Sequence, residues 1–431
     1  MPSMTKGRSF QRSGSIKVEV RVGELDIPDD LKHMSTPFSP RIAIIGGGPA
    51  GLVLVNVLAR NNIAATLYER DAEFSSRAHL GGVLDLHPET GQAAMKGAGV
   101  WETFQKNSRP EGEETKILDK DGNVVYHHVP PADNTSPSRP EIDRSLLRKI
   151  LVDAAPAGSI KFGHAFVSAT PVTGTTQWEL VFANGHKTVV DLVIGADGAR
   201  SRVRLLVSDA AIRYVGLTGV EVSMSPDVGA AHKELLARIG SGSAYALDGP
   251  KFFAAQINGD GRVRTYAWFH SNDPDVVPSD PAAAIPFVLS HLEGWAPWMR
   301  QLIELADPQA VYHRPLYMLP VGHSWKHRAG VTLVGDAMNL MTPFAGQGAN
   351  IAVWAALQLA LKIIGVREGG GGLQEMDGAV AAYEQEIGKR AKEEATVTEV
   401  NLNIVLNGEG AKGMAEAFRL IEARTRSTAE V

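Results

Sequence analysis

The stretch Ile42-Ala43-Ile44-Ile45-Gly46-Gly47-Gly48-Pro49-Ala50-Gly51-Leu52 constrains this chain more than any other. Four consecutive apolar residues, a glycine turn and a renewed apolar run read as a buried parallel strand feeding the first turn of a helix. In that geometry Gly46 permits the turn, Gly48 leaves a phosphate room to approach the backbone, and Gly51 lets the helix pack on the strand. The helix start offers free N–H groups and the positive end of its dipole to an anion. Glycine turns also occur for structural reasons alone, but the context favours dinucleotide binding. Ala65-Thr66-Leu67-Tyr68-Glu69 follows at one βαβ length, and Glu69 falls where a carboxylate can accept hydrogen bonds from ribose hydroxyls.

A chain of 431 residues has room for two or three domains. Its net charge of −5 gives no electrostatic case for nucleic acid or an anionic membrane. It has no cysteine, which removes disulfides, thiolate catalysis and iron–sulfur clusters together and fits a reducing, cytoplasmic compartment. Residues 1–40 lack an apolar signal core and read as a poorly ordered N-terminal extension, with Met34 as an alternative start. The apolar stretches Ala43 to Ala59 and Ala349 to Gly365 are interrupted, the first by glycines and a proline, the second by Asn350, Gln358 and Lys362. They read as core elements of an α/β protein, and no integral membrane segment is expected.

The organisation expected from the pattern is a nucleotide-binding part over 41–204, a sheet-rich substrate part over 205–320, a return to the nucleotide part over 321–366, and C-terminal helices over 373–431. Within the first part, Gln92 to Gln105 and Glu141 to Leu151 read as helices, and Ile117 to Val129 as a hairpin. Strands are expected near Lys161 to Val167, at Trp178 to Phe182 and over Lys187 to Ile194. The last leads into a second glycine turn, Gly195-Ala196-Asp197-Gly198, and a helix start. Arg144 and Arg148 share a helix face, and spacing alone makes them a solvated pair. Asp197 can serve a cofactor or be an ordinary N-cap, and Arg200, Arg202 and Arg204 can meet phosphate or only solvent.

The reactive-residue inventory excludes several chemistries. There is no GxSxG elbow and no GxxxxGK[ST] loop. The thirteen histidines, including the pairs His127-His128 and His323/His327, lack a convincing ligand spacing, so no metal is expected. A second strand end, Gly335-Asp336, lies far downstream, and Gly346-Gln347-Gly348-Ala349-Asn350 opens a long helix beside it. Two such turns suit FAD, with its ADP half at Gly46–Gly51 and its flavin half at Asp336. The helix dipole near Gly346 would then stabilise charge on the reduced flavin. Asp336 as a mere loop-ordering carboxylate is the alternative.

Together, Gly46 to Gly51, Tyr68-Glu69-Arg70, Gly195-Ala196-Asp197-Gly198 and Gly335-Asp336-Ala337 through Pro343-Phe344-Ala345-Gly346-Gln347-Gly348 resemble the class A flavin monooxygenases. These are single-component aromatic hydroxylases with a para-hydroxybenzoate-hydroxylase-like fold. Within that family Gly81-Gly82-Val83-Leu84-Asp85-Leu86-His87, Pro140 to Arg148 and Met341 to Gly348 are most similar to the tetracycline-inactivating enzymes. The resemblance implies that Glu69 binds the adenosine ribose, that Asp85 and Arg148 contact FAD, and that Asp336 binds the ribityl or pyrophosphate region. It matches Arg77 to an NADPH contact. It adds Arg70, Asp197 and the segment Gly346, Gly348, Ala349, Asn350 to the cofactor set, and Glu234, Arg264, Pro343 and Phe344 as substrate candidates. Where the subgroup places polar side chains for the tetracycline ring system, this chain has Gly242 and Arg264.

The expected activity is insertion of one oxygen from O2 into a polycyclic or phenolic small molecule, tetracycline-type compounds included, through a flavin C4a-hydroperoxide. NAD(P)H would be a transient co-substrate. No side chain need act as nucleophile or acid/base. Alternatives are a biosynthetic tailoring hydroxylase of an aromatic polyketide or alkaloid, and an FAD-binding reductase or lipid-handling protein on the same scaffold. A monomer or weak dimer is expected.

Overall fold

A computed structural model describes residues 39–74, 81–130 and 139–429, with side chains to residue 420. The expected N-terminal extension up to residue 38, Arg77, and most of the Pro-rich loop before Pro140 lie outside the described residues.

The chain opens with β1 (Ile42–Ile45), α1 (Pro49–Arg60) and β2 (Ala65–Tyr68). Every residue of β1 is buried, as a strand covered on both faces requires. Nine consecutive residues of α1, Ala50 to Leu58, are buried too, so this helix is wrapped on all sides rather than amphipathic. β3 (Val83–Asp85) precedes α2 (Ala93–Gly97) and α3 (Trp101–Asn107). The single helix expected over Gln92 to Gln105 is thus two, because Gly99 takes φ +75° between them. β4 (Thr115–Leu118) and β5 (Val124–His128) form the expected hairpin.

β6 (Glu141–Asp143) pairs antiparallel with β3, and α4 (Arg144–Ala154) starts only after it. The helix expected from Glu141 therefore begins three residues late. The Arg144 amide donates to Gly82 O at 3.1 Å instead of continuing a helical ladder backwards. β7 (Ile160–Lys161) borders the parallel sheet. β8 (Phe166–Pro171), β9 (Trp178–Phe182) and β10 (Lys187–Val190) make a separate antiparallel sheet, and β11 (Leu192–Gly195) returns to the parallel one. The expected strand Lys187 to Ile194 is split at Asp191. Its carboxylate accepts from the Arg41 amide at 2.8 Å and from the Arg41 guanidinium, which turns the chain from one sheet into the other. After Gly195 there is no α-helix start, only a 3-10 turn at Arg204–Leu206.

β12 (Arg213–Tyr214) leads to β13 (Leu217–Met224), α5 (Pro226–Ala231), α6 (Lys233–Ile239), β14 (Ser243–Leu247), β15 (Lys251–Ile257) and β16 (Val263–His270). α7 (Pro281–His291), α8 (Pro297–Glu304), β17 (Val311–His313) and β18 (Tyr317–Met318) follow. β19 (Val331–Leu333), α9 (Gly348–Glu368), α10 (Leu373–Leu406) and α11 (Gly410–Ala429) complete the chain.

The parallel sheet has the order β19-β11-β1-β2-β7, and a seven-stranded sheet the order β17-β13-β16-β15-β14-β4-β5. The 115–128 hairpin thus belongs to the sheet of the 205–320 segment, because β4 pairs parallel with β14. α9 is long and apolar enough to cross a membrane by length and composition, but it packs between α1 and α10 in the core. The seven-stranded sheet has two apolar faces. Phe253, Ala255, Ala267 and Phe269 meet α6, α7 and α8 on one. Phe252, Ala254 and Trp268 meet Phe344 and the α10–α11 pair on the other.

Candidate active site

Two helix starts face one crevice. α1 follows Gly48 and α9 follows Gln347, and among the described residues neither start has a side-chain cap or an acidic residue in its first turn. Uncapped first-turn amides at the positive ends of two helices are an anion site. The turn before α1 is tightly built. Gly46 takes φ +113°, and a Cβ there would lie 2.3 Å from Ala196 O; on Gly51 it would lie 2.1 Å from Gly46 O. A Cβ on Gly48 would meet nothing within 4 Å, so that position faces open space. Glu69, buried at the end of β2, accepts from the Gly47 amide at 2.6 Å and from the Asp71 amide at 2.9 Å. Arg70 is exposed beside it.

Arg148 is not solvated. Its guanidinium donates to Gly47 O at 3.0 Å and to Phe74 O at 3.1 Å, and it pairs with Asp71 at 3.6 Å. It holds the glycine turn from behind. Arg144, left as a solvated residue by its spacing, stands in the crevice itself. It is exposed, and its Cδ lies 2.8 Å from the position a Cβ on Gly81 would take. Its charge reaches Asp336 on one side and the Tyr266 phenol on the other.

Asp336 sits on the turn after β19, next to Gly335, whose Cβ position lies 3.2 Å from Ala50 of α1 and 3.6 Å from Ala352 of α9. Its side chain is exposed although protein surrounds it on most sides, as at the floor of a cleft. Loss of bulk solvent pushes its carboxyl above the usual range, and the Arg144 and Arg204 guanidiniums pull the other way. Asp85, at the end of β3, lies within 4 Å of the Cβ position of Gly346. Burial pushes its carboxyl up, but the His87 ring at 2.9 Å and the charges of His87 and Arg139 hold it below the ordinary value. Asn350 locks β3 to α9: its amide nitrogen donates to Asp85 O at 2.9 Å and its oxygen accepts from the His87 amide at 2.8 Å. Gly348 and Ala349 precede it in the first turn of α9.

The other basic and acidic candidates have partners within the protein. The Asp197 carboxylate accepts from the Arg202 and Val203 amides and from Ser201, ordering the loop after β11 as a cap does. Arg204 is buried and donates to Ala199 O and Ala337 O; Arg202 donates to Phe166 O; Arg200 lies over the Tyr317 ring. His323 and His327 are satisfied polar residues, the first by Ser208 and Met338 O, the second between Glu384 and Asp377.

The opposite wall of the crevice is the seven-stranded sheet. Phe344 is buried edge-on against Phe252, at 5.1 Å between ring centres, and its carbonyl accepts from Asn401 of α10 at 2.9 Å; Pro343 beside it is exposed. Arg264 faces this side but is buried in an ion pair with Glu221 at 3.2 Å, and Glu221 also takes Arg314 at 2.8 Å. Glu234 must be corrected as a substrate residue. It is exposed on α6, whose Leu235 and Ile239 pack on the Phe253 and Ala255 face, so the sheet separates it from the crevice. The structure also puts Arg144, Gln256 and Tyr266 along the crevice, a placement the sequence did not give. Only the i,i+4 arginine pair and the period-two pattern of β15 and β16 could have flagged them.

Comparison with known proteins gives the family and the fold. The profile of the FAD binding domain family matches residues 40–227 and 323–396. Monooxygenase asqM of Emericella nidulans is 29% identical over 425 residues, covering 84% of this chain and 94% of that protein. The structure of Klebsiella pneumoniae HpxO complexed with FAD and uric acid superposes with a TM-score of 0.70 at 21% identity, over 91% of this chain and 93% of that one. The tetracycline destructase Tet(51) superposes with a TM-score of 0.67 at 19% identity, over 92% and 98%.

Proposed function

We propose, for a chain that belongs to the FAD binding domain family and is an FAD-dependent monooxygenase, that the substrate is a polycyclic or phenolic small molecule. One oxygen atom of O2 enters that molecule at the expense of NAD(P)H. The observation that carries this reading is the crevice floored by Asp336, edged by two uncapped helix starts and walled by the aromatic sheet face. The residues present fit the cofactor: Gly48 leaves the backbone open where a pyrophosphate approaches, and Arg144 stands free to meet its charge.

When bound, FAD supplies the acceptance of electrons from NAD(P)H and the activation of oxygen. Glu69 and Arg70 hold the adenosine ribose end, with Arg148 bracing the turn beneath them. Arg144 and Asp336 orient the pyrophosphate–ribityl stretch. The amides of Gly348, Ala349 and Asn350 hold negative charge at the flavin end, with Asp85 steadying the approach to Gly346. Phe344 and Phe252 keep the reacting space dry. Arg77 contacts NADPH, which visits and leaves, and the enzyme works in the cytoplasm as a monomer or weak dimer.

A phenolic or polycyclic substrate outside the tetracyclines, as in a tailoring role, is preferred to tetracycline itself, because Tet(51) at 19% identity shares the fold alone. The test is a panel of tetracyclines and other phenolic polycycles with flavin-loaded protein, NADPH and O2, read by product mass. Gain of one oxygen by a non-tetracycline phenol is expected. Gain by tetracyclines alone reverses the preference, and reduction without oxygen gain favours the reductase reading.

A further inference from the structure

A histidine and a carboxylate stand together where β3 meets the start of α9, and oxygen insertion as described leaves the imidazole without a task. The His87 Nε2 lies 2.9 Å from the Asp85 carboxylate, and Asp85 is 3.8 Å from the Cβ position of Gly346. The Nδ1 of the same ring faces the side-chain nitrogen of Gln347 at 3.4 Å, on the residue just before the first turn of α9. An amide nitrogen only donates, so Nδ1 accepts there and Nε2 carries the hydrogen given to Asp85. The basic lone pair of a neutral imidazole is thus held at the positive end of α9.

Asn350, fully buried, ties the pair to the helix. Its oxygen accepts from the His87 amide at 2.8 Å, and its nitrogen donates to Asp85 O at 2.9 Å. Both side chains stay within reach of water, His87 at 20% and Asp85 at 36% exposure. Burial opposes the Asp85 charge, but the hydrogen bond and charge of His87 and the charge of Arg139 prevail, so Asp85 is a carboxylate at neutral pH. Glu141 of β6 and the Tyr245 phenol also feel Asp85. From α10, Glu394 acts on His87, with its partner Arg390 at 2.8 Å. One more negative charge arriving at the α9 start tips the ring toward its cation, because an opposite charge nearby favours the charged form.

We propose that His87, held by Asp85 and Gln347, is a proton-linked charge compensator that takes up a proton at Nδ1 when reduction of the flavin puts a negative charge at the start of α9. NAD(P)H delivers a hydride, which carries two electrons and one proton and leaves one negative charge on the flavin. A further proton comes from water and forms the N–H bond at Nδ1. Gln347 turns its amide over so that its oxygen accepts from that N–H. When the flavin loses its charge, the proton returns to water. His87 acts through Asp85 and Gln347 and is a positioning residue. The assignment rests on the reading of the α9 start as the flavin end of the site.

The experiment reduces the full, FAD-loaded chain with dithionite, without oxygen, beside a redox dye. Midpoint potentials are read between about pH 5.5 and pH 8.5, the range in which an imidazole changes charge. The slope against pH counts the protons taken up. In part of that range the wild type is expected to approach about two protons per two electrons, and His87→Gln about one. The absorbance of the reduced flavin stays that of its anion in both. A packing role would leave the count alone, since glutamine keeps a donor for Asp85. A wild-type count of one throughout, equal counts in the two proteins, or a reduced flavin that itself turns neutral as the count rises overturns the proposal. If His87→Gln does not hold FAD, Asp85→Asn decides: without the carboxylate the two-proton range moves to lower pH, and an unmoved range overturns the pair. The expected slopes with no oxygen gain in the substrate panel would sink the function and spare this inference. Oxygen gain with equal slopes does the reverse.

Discussion

The two walls of the crevice are built on different principles. On the nucleotide side the working parts are backbone: glycines without a Cβ, two helix starts and the end of a strand. Gly46, Gly48 and Gly51 matter for what they lack, and Arg148 and Glu69 serve largely to hold that backbone in place. On the sheet side the surface is made of side chains from three neighbouring strands, Tyr245, Gln256 and Tyr266 among them, set beside one another by register. A backbone site tolerates little change where atoms crowd, but it binds any ligand with the right phosphate. A side-chain site can be rewritten one residue at a time. A common cofactor and a private substrate are what such a division predicts.

Four changes test the comparison. The largest effect is expected from Gly51→Val, whose Cβ would fall 2.1 Å from a main-chain oxygen that cannot move aside. A loss of more than about 4 kcal/mol and a colourless protein are expected; a yellow variant with an unchanged melting temperature would mean that the turn is not backbone-limited. Next is Glu221→Leu, which removes the carboxylate shared by Arg264 and Arg314. It should cost about 3–5 kcal/mol in denaturant unfolding, and Glu221→Leu with Arg264→Met should recover most of that. Little recovery would show that the cost does not come from the Arg264 charge left without its partner.

Third, Arg144→Ala should weaken FAD binding about tenfold and leave the unfolding of the FAD-free protein unchanged. Arg148→Ala should lower both, because Arg148 ties Gly47, Phe74 and Asp71 together. Equal behaviour of the two would erase the distinction between a ligand contact and a brace.

The smallest effect lies away from both walls. Burial disfavours the His327 cation, but the hydrogen bonds and charges of Glu384 and Asp377 outweigh it and raise its pKa above the ordinary value. A raised histidine pKa contributes stability that is complete below about pH 6.5 and is lost as pH rises through the folded value. Thermal melts of wild type and His327→Gln should therefore differ more at pH 6 than at pH 8.5, by about 2 °C or less. A difference that grows with pH would reverse the assignment.

The sequence by itself determined the parts of this protein that depend on local covalent choices. A run of apolar residues, three glycines at set spacing and a carboxylate one βαβ unit later dictate a strand, a turn and a helix start, because only those φ values and that missing Cβ allow the chain to pass. Gly335-Asp336 and the start of α9 were legible for the same reason. Tertiary structure decided what depends on neighbours distant in the chain. Arg144 and Arg148 are equivalent by spacing, yet one braces Gly47 and the other stands in the crevice, because α4 starts at Arg144 after β6 has paired with β3. The split at Asp191 follows from Arg41, 150 residues away. Glu234 and Arg264 fell on opposite faces of one sheet, which local pattern cannot tell apart. Gln256 and Tyr266 carry no motif at all. They meet at Gly82 because two strands are in register and β3 lies across them, a fact that exists only in the folded chain.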